Sequence, residues 1–301
     1  MSQGPTFPSR EVRLVEPFGA GGGPDLIARA LAARLSQVWD VPVSVDNRAG
    51  AGATAAPAFV AAAPPDGCTL LVNTSAHAYR AALAEGLSYD PLNDFVAIAP
   101  LSSQSYVLVA SPSSGLRTLA DLVSAGQARP GRLRFASSGI GTATHLGVEQ
   151  LNADLGISAT HTPARPTEAG ADTGARVAAG GGDYAMSPIS MAGPLVAAGE
   201  LVALGVSGSR RSRLLPDVPT IAQAGAPGFD FPIWYGIWTP AGTPAQIIDT
   251  LARDIGTAVA TPELRDEFLR HDAEPMTMTR AEFAAFVISE SGMAARLLST
   301  S

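Results

Sequence analysis

Residues Val12 to Trp39 read VRLVEPFGAGGGPDLIARALAARLSQVW, and three patterns follow one another inside them. Val12 to Pro17 is a short apolar strand with Arg13 and Glu16 interleaved. Phe18-Gly-Ala-Gly-Gly-Gly-Pro24 holds too much glycine for regular structure. From Asp25 to Trp39, apolar residues at Ile27, Leu31, Leu35 and Val38 are spaced for one face of a helix. Strand, glycine turn and helix in that order are the opening of an α/β unit. The helix begins where the glycines end, so backbone N–H groups with no intrahelical partner point out of the turn. The helix dipole adds positive charge there, and an anion is the expected guest. Asp25 is suited to cap the helix start.

Outward from this stretch the pattern repeats. Val41–Val45 reads as a strand, Ala53–Ala62 as a helix stopped by Pro64-Pro65, and Thr69–Val72 as a third strand ending in Asn73-Thr74-Ser75. The βαβαβ order predicts a largely parallel sheet with helices on both faces. A second run begins after Ser111-Pro112, with a helix over Leu119–Ala128 and a strand over Arg132–Ala136. Ser137-Ser-Gly-Ile-Gly-Thr142 is a second glycine loop, followed by a helix over Ala143–Leu155 and strands over Asp183–Met186 and Leu201–Val206. Its hydroxyls, on Ser137, Ser138, Thr142 and Thr144, can donate to a carboxylate oxygen. Helices over 245–260, 262–271 and 280–298 follow an aromatic stretch at Phe231–Thr239. The expected organisation is one lobe of 8–110 plus 231–301, containing both termini, and a second of 111–230 inserted into it. Two crossings, near 105–110 and 230–238, would form a hinge with a cleft between the lobes.

Composition narrows the chemistry. The chain has 301 residues, a formal net charge of −7, one cysteine (Cys68) and four histidines, and all 20 basic residues are arginine. Without lysine there is neither a Schiff-base enzyme nor a lysine-bearing phosphate loop. A lone cysteine excludes an internal disulfide and a C-x-x-C redox pair. The acidic balance argues against nucleic acid as a partner. Length predicts about two domains of roughly 150 residues. The histidines show no ligand spacing, so no metal is expected. His161 and His271 read as structural; His77 is a candidate for the border of the cleft. Met1 to Arg10 lacks the basic-then-apolar pattern of a signal peptide.

Taken together and in order, several stretches resemble a known family. They are FPSREVRLVEPFGAGGGPDLIARALAARL, VPVSVDNRAGAGATAA, PPDGCTLLVNTS, SYDPLNDFVAIAPL, RLRFASSGIGTATHLGVEQL, LPDVPTIAQAGAPGF and WYGIWTPAGTP, spanning about Phe7 to Leu298. They are similar to the Bug-type extracytoplasmic solute receptors of tripartite tricarboxylate transporters. The resemblance implies a two-lobed periplasmic binding fold, type II-like, with no catalytic activity and no cofactor. It implies capture of a small mono- or dicarboxylate, amino or aromatic acids included, by hinge closure. It further implies a monomeric receptor in the periplasm, its signal peptide removed, that delivers the ligand to membrane transporter subunits.

Carried over residue by residue, the first pincer is Phe18, Gly21, Gly22, Gly23 and Asp25, joined by Asn73, Thr74 and Ser75. The opposite pincer is Ser137, Ser138, Gly139, Gly141, Thr142 and His145, with Asp183 as the acid ending a strand of the second lobe. Thr162-Pro163-Ala164-Arg165-Pro166 departs from the family's usual V-P-Y-K-G. It leaves Arg165 as the cation expected to pair with a distal carboxylate. Two rivals compete. Gly50-Ala-Gly52-Ala-Thr-Ala55 matches the G-x-G-x-x-[GA] of an NAD(P)-dependent oxidoreductase, though it sits beyond the strand rather than directly after it. Ser137 or Ser138 with His145 would be the nucleophile and base of a hydrolase, but the sequence offers no third group.

Overall fold

The computed structural model describes residues 7–49, 53–83, 86–164 and 172–300. The chain forms two compact units, Met1–Ser103 with Trp234–Ala295, and Gln104–Ile233 with Arg296–Ser301.

In unit 1, β1 (Val12–Glu16), α1 (Gly23–Trp39), β2 (Val43–Asn47), α2 (Ala55–Ala61), β3 (Thr69–Thr74), α3 (Ala76–Leu83) and β4 (Phe95–Gln104) come first in the chain. In unit 2 follow β5 (Tyr106–Ala110), α4 (Leu119–Ala128), β6 (Leu133–Ser137), α5 (Ala143–Leu155), β7 (Ala159–Pro163), α6 (Thr173–Ala178), β8 (Tyr184–Pro188), α7 (Ile189–Ala197), β9 (Val202–Val206) and α8 (Ile221–Ala224). The chain returns to unit 1 with β10 (Ile233–Pro240), α9 (Ala245–Ala260), α10 (Pro262–Arg270), β11 (Glu274–Pro275) and α11 (Arg280–Thr300).

The sheet of unit 1 has the order β11-β4-β10-β3-β1-β2 and that of unit 2 the order β7-β6-β8-β5-β9. The βαβ segments pair in parallel as their order requires: β1 with β2 and β3, and β6 with β7 and β8. Both sheets are nevertheless mixed, not largely parallel. β10 runs antiparallel to β3, and β5 runs antiparallel to β8 and β9. The reason lies in connectivity. β5 and β10 each begin where the chain passes from one unit to the other, and neither belongs to a right-handed βαβ crossover.

Packing explains the local choices. α1 opens with Pro24 in its first turn, where a missing N–H costs nothing, and buries Ile27, Leu31, Leu35 and Trp39. β10 is buried along nearly its whole length, which its unbroken apolar sequence requires. Trp234 and Tyr235 both lie in the core of unit 1. Trp234 Nε1 donates to Glu290 on α11 at 2.8 Å, which satisfies the indole inside the core. Gly236 allows this packing: a Cβ there would stand 2.4 Å from Cζ of Phe283.

Candidate functional site

In unit 1 the first glycine loop leaves the carboxyl end of β1 and enters α1. Gly19 to Gly22 are exposed and Phe18 is half-buried. Gly21 has φ +83°, a conformation open to glycine and costly for side-chained residues. The turn is held from beneath. Glu16 accepts the Phe18 amide at 2.9 Å, and Asp25 Oδ2 accepts the Gly21 amide at 2.8 Å. Asp25 also receives Arg29 Nε at 2.8 Å and Asn47 Nδ2 at 2.8 Å. Burial works to raise the Asp25 carboxyl, but the hydrogen bonds from Arg29, Gly21 and Asn47 carry it below the usual carboxylate range. Asp25 is 1% exposed, so this carboxylate shapes the loop rather than presenting itself to a ligand.

The second stretch of unit 1 follows β3. Asn73 Oδ1 accepts the Thr74 amide at 2.8 Å, Thr74 Oγ1 accepts the Ala76 amide at 3.2 Å, and the Ser75 amide donates to the Trp234 carbonyl at 2.8 Å. Asn73 and Thr74 thus spend side-chain oxygens on their own turn. Ser75 Oγ is buried with no hydrogen-bond partner among the described residues. His77 does not border a cleft. It is 1% exposed, with its ring edge-on to Phe95 and tilted against Trp238. Burial lowers its pKa to about 4, although the Pro91 backbone acts in the opposite sense.

In unit 2 the serine-glycine loop leaves β6 and enters α5. Thr142 caps the helix, its side chain accepting the His145 amide. The amides of Ala143 and Thr144 in that first turn have no intrahelical partner by geometry. Gly139 and Gly141 have φ +135° and +73°. Ser138 donates its amide to Thr144 Oγ1 at 3.0 Å, and Thr142 Oγ1 donates to the Gly139 carbonyl at 2.7 Å. His145 Nδ1 accepts the Gly141 amide at 3.2 Å, and its Nε2 stands 3.5 Å from Glu149. This is a helix-start histidine bonding its own loop.

His161, read from sequence as structural, belongs to this group. It is in register with Phe135 on the neighbouring strand, stacks on Phe135 at 4.7 Å, and stacks on His145 at 4.1 Å. Its Nε2 lies 2.6 Å from Ser137 Oγ. Burial, then the neighbouring His145 and Arg176, lower the His161 pKa to about 3. Ser137 is 0% exposed and bonds His161 rather than His145, so a Ser137–His145 dyad is not assembled. The histidine stack also walls a cavity of about 640 Å³ within unit 2, beside Ile140, Glu149 and Leu298.

Of the expected cation and acid, the structure places only the acid. Arg165 lies outside the described residues. Among the described residues, Arg176 brings a guanidinium to the carboxyl ends of β6 and β7, where it donates to the carbonyls of Ser137 at 2.7 Å, Thr162 at 3.3 Å and Pro163 at 3.3 Å. Asp183 does not join the serine-glycine loop. It precedes β8 instead of ending it, and accepts the Arg134 amide at 2.7 Å near the start of β6. Because β6 and β8 are parallel, that is the opposite end of the sheet from Ser137. Gly50 and Gly52 lie outside the described residues, while Ala55 opens α2. Among the described residues, no group of three His, Cys, Asp or Glu could hold a metal ion, and no helix is long and apolar enough to cross a membrane.

Each unit therefore carries a glycine loop between a strand and the N-terminus of a long helix, the place where open α/β sheets receive ligands. Solved structures share this architecture. A Rhodopseudomonas palustris protein, Rpa4515, solved with adipate, matches with a TM-score of 0.83 at 29% identity, over 98% of each chain. MatC from the same organism, solved with malate, matches with a TM-score of 0.78 at 29% identity, over 97% of this chain and 99% of its own. The periplasmic binding protein BugD matches with a TM-score of 0.79 at 26% identity, over 98% of each chain. The fold is that of the periplasmic binding proteins. Residues 27–300 match the tripartite tricarboxylate transporter family receptor, and the chain belongs to that family of substrate-binding receptors. The comparisons give no support to a dinucleotide-dependent oxidoreductase.

Proposed function

We propose that the chain captures a small carboxylate through its glycine loops and hands it to membrane transporter subunits. It acts as a monomer without cofactor or catalytic activity, in the periplasm. The observation that carries the reading is the pair of loops at the N-termini of α1 and α5, one in each unit. Such termini favour anions through unpartnered amides and the helix dipole. Two proteins of similar structure were solved with carboxylates, adipate and malate.

The contacts divide into two groups. Ligand is met by the amides of Gly19 and Ala20 in the exposed turn, by the half-buried Phe18 ring, by the Ser138 hydroxyl and by the first-turn amides of α5. Asp25, Asn73, Thr74, Ser137, Thr142 and His145 hold these groups in place and take no ligand bond of their own. Arg176 fixes the strand ends beneath the second loop. Anion binding then rests on dipoles and hydroxyls, which suits a chain with no lysine. Closure on the ligand follows its differential affinity for the closed form. Calorimetric titration with mono- and dicarboxylates, adipate and malate included, tests the reading. It predicts saturable binding of at least one acid, and that the Ser138→Ala variant binds the same acid more weakly. Ester hydrolysis by the purified chain would speak against it.

A further inference from the structure

Beneath the first glycine loop lies a group that the receptor reading leaves unused. Glu16, the last residue of β1, is 0% exposed. One of its oxygens accepts the Phe18 amide at 2.9 Å, and the other accepts Asn47 Nδ2. The same Asn47 nitrogen donates to Asp25 Oδ1 at 2.8 Å. Two buried carboxyls thus share one amide nitrogen, and each holds a backbone amide of the same loop, Phe18 or Gly21. One cation serves both. Arg29 donates to Asp25 at 2.8 Å and to Asn47 Oδ1 at 2.9 Å, and its side chain is half exposed.

The other elements packed on β1 do not make up the deficit. On β2, Asp46 lies on the opposite face from Asn47 and is occupied by Arg48 at 2.9 Å and Arg13 at 3.8 Å. α2 and β3 contain no charged residue. Among the described residues, the charges that act on Glu16 are those of Asp25 and Arg29, both on α1. With both acids ionised, the ground behind an anion-receiving loop is negative by one charge. Asp25 is the acid kept ionised, by its bonds from Arg29 and Gly21. Burial puts Glu16 on the other side of the balance, raising its carboxyl to about 7 against the pull of the Phe18 and Asn47 bonds.

We propose that Glu16 makes anion capture at this loop proton-linked: a carboxylate binds best when Glu16 carries a proton, and binding draws that proton from solvent. The inference rests on the reading that the loop receives a carboxylate. Protonation removes like-charge repulsion from behind the ligand. It preserves the loop, because a protonated carboxyl keeps acceptor capacity for the Phe18 amide and for Asn47. No bond other than O–H is made, and the proton comes from water or buffer.

Calorimetric titration of the full chain with adipate and malate, at about pH 7 and about pH 9 where both acids are fully ionised, tests it, each in two buffers of different ionisation heat. The expected result is net proton uptake on binding and an affinity about tenfold lower at the higher pH. In Glu16→Gln both the uptake and the pH slope shrink. Equal affinity at both pH values with no proton uptake overturns the inference while leaving the receptor reading intact, as does a Gln variant with the wild-type slope. Should that variant fail to fold, the buffer comparison on the wild-type chain still decides. Absence of binding by either acid at any pH overturns the receptor reading itself, and this inference with it.

Discussion

Ser137 and His161 meet across two parallel strands: Ser137 Oγ stands 2.6 Å from His161 Nε2, although the register partner of His161 is Phe135. The contact ties the exit of β6 to the middle of β7 just below the serine-glycine loop. Because the folded state holds His161 near 3 against an ordinary 6.5, the unfolded chain binds the proton first as pH falls. The stability this ring contributes is complete above about pH 6.5 and is lost progressively toward pH 3. His77 titrates with the same sign toward its value of about 4. Melting temperature should therefore drop across that window, and more shallowly in His161→Gln, which keeps a polar partner for Ser137. An identical pH slope in the variant contradicts the assignment.

Glu16 works in the opposite direction. Its folded-state pKa of about 7 exceeds the ordinary 4.5, so the stability linked to its proton is complete below about pH 4.5 and lost as pH climbs through 7. Glu16→Gln removes that loss. Denaturant unfolding at about pH 8 should show a gain of about 1–3 kcal/mol relative to the same comparison at about pH 4.5. The Gln amide opposes either the Phe18 amide or Asn47 at both pH values, a cost that cancels in this comparison.

Arg176 binds three backbone carbonyls with one guanidinium. Arg176→Ala should destabilise unit 2 by about 2 kcal/mol, from charge-assisted hydrogen bonds lost at the strand ends. Carboxylate affinity should fall with it. Arg176→Lys should recover only part, since an ammonium cannot reproduce the planar fork. Chemical denaturation with and without ligand separates the two effects.

At Gly141, with φ +73°, any side chain is strained. Gly141→Ala should cost about 1–2 kcal/mol. The amide it misplaces is the one bonded to His145 Nδ1, so ring-proton NMR signals of His145 should shift in the variant while those of His271 stay put.

Much of this was legible in the sequence because the βαβ segments obey local rules. The helix over Ala143–Leu155 falls where it was expected after the second glycine loop, and both glycine loops lie between a strand and a helix. The helix Ala76–Leu83 and the strand Phe95–Gln104 were not read, because neither carries a clear period or cap. The antiparallel strands escaped because strand direction is set by the path between units, not by any residue on β5 or β10. Within the site, glycine content and helix position gave the loops, but polar residue type did not reveal which side chains face inward. Ser137, His145 and Asp25 resemble ligand groups until their hydrogen bonds are counted. His161 was missed for the converse reason: its link to Ser137 depends on β6–β7 register. Arg176 was missed because a helical arginine carries no signal for strand carbonyls.

Thermal unfolding with and without a saturating dicarboxylate tests the central claim most directly, with adipate and malate each run beside its neutral diamide. A ligand that binds only the folded chain stabilises it by RT ln(1 + [L]/Kd), about 2.7 kcal/mol at a hundredfold excess over Kd. The account predicts that at least one acid raises the melting temperature by several degrees and that its diamide does not. No rise with either acid, or an equal rise with the diamide, would contradict it.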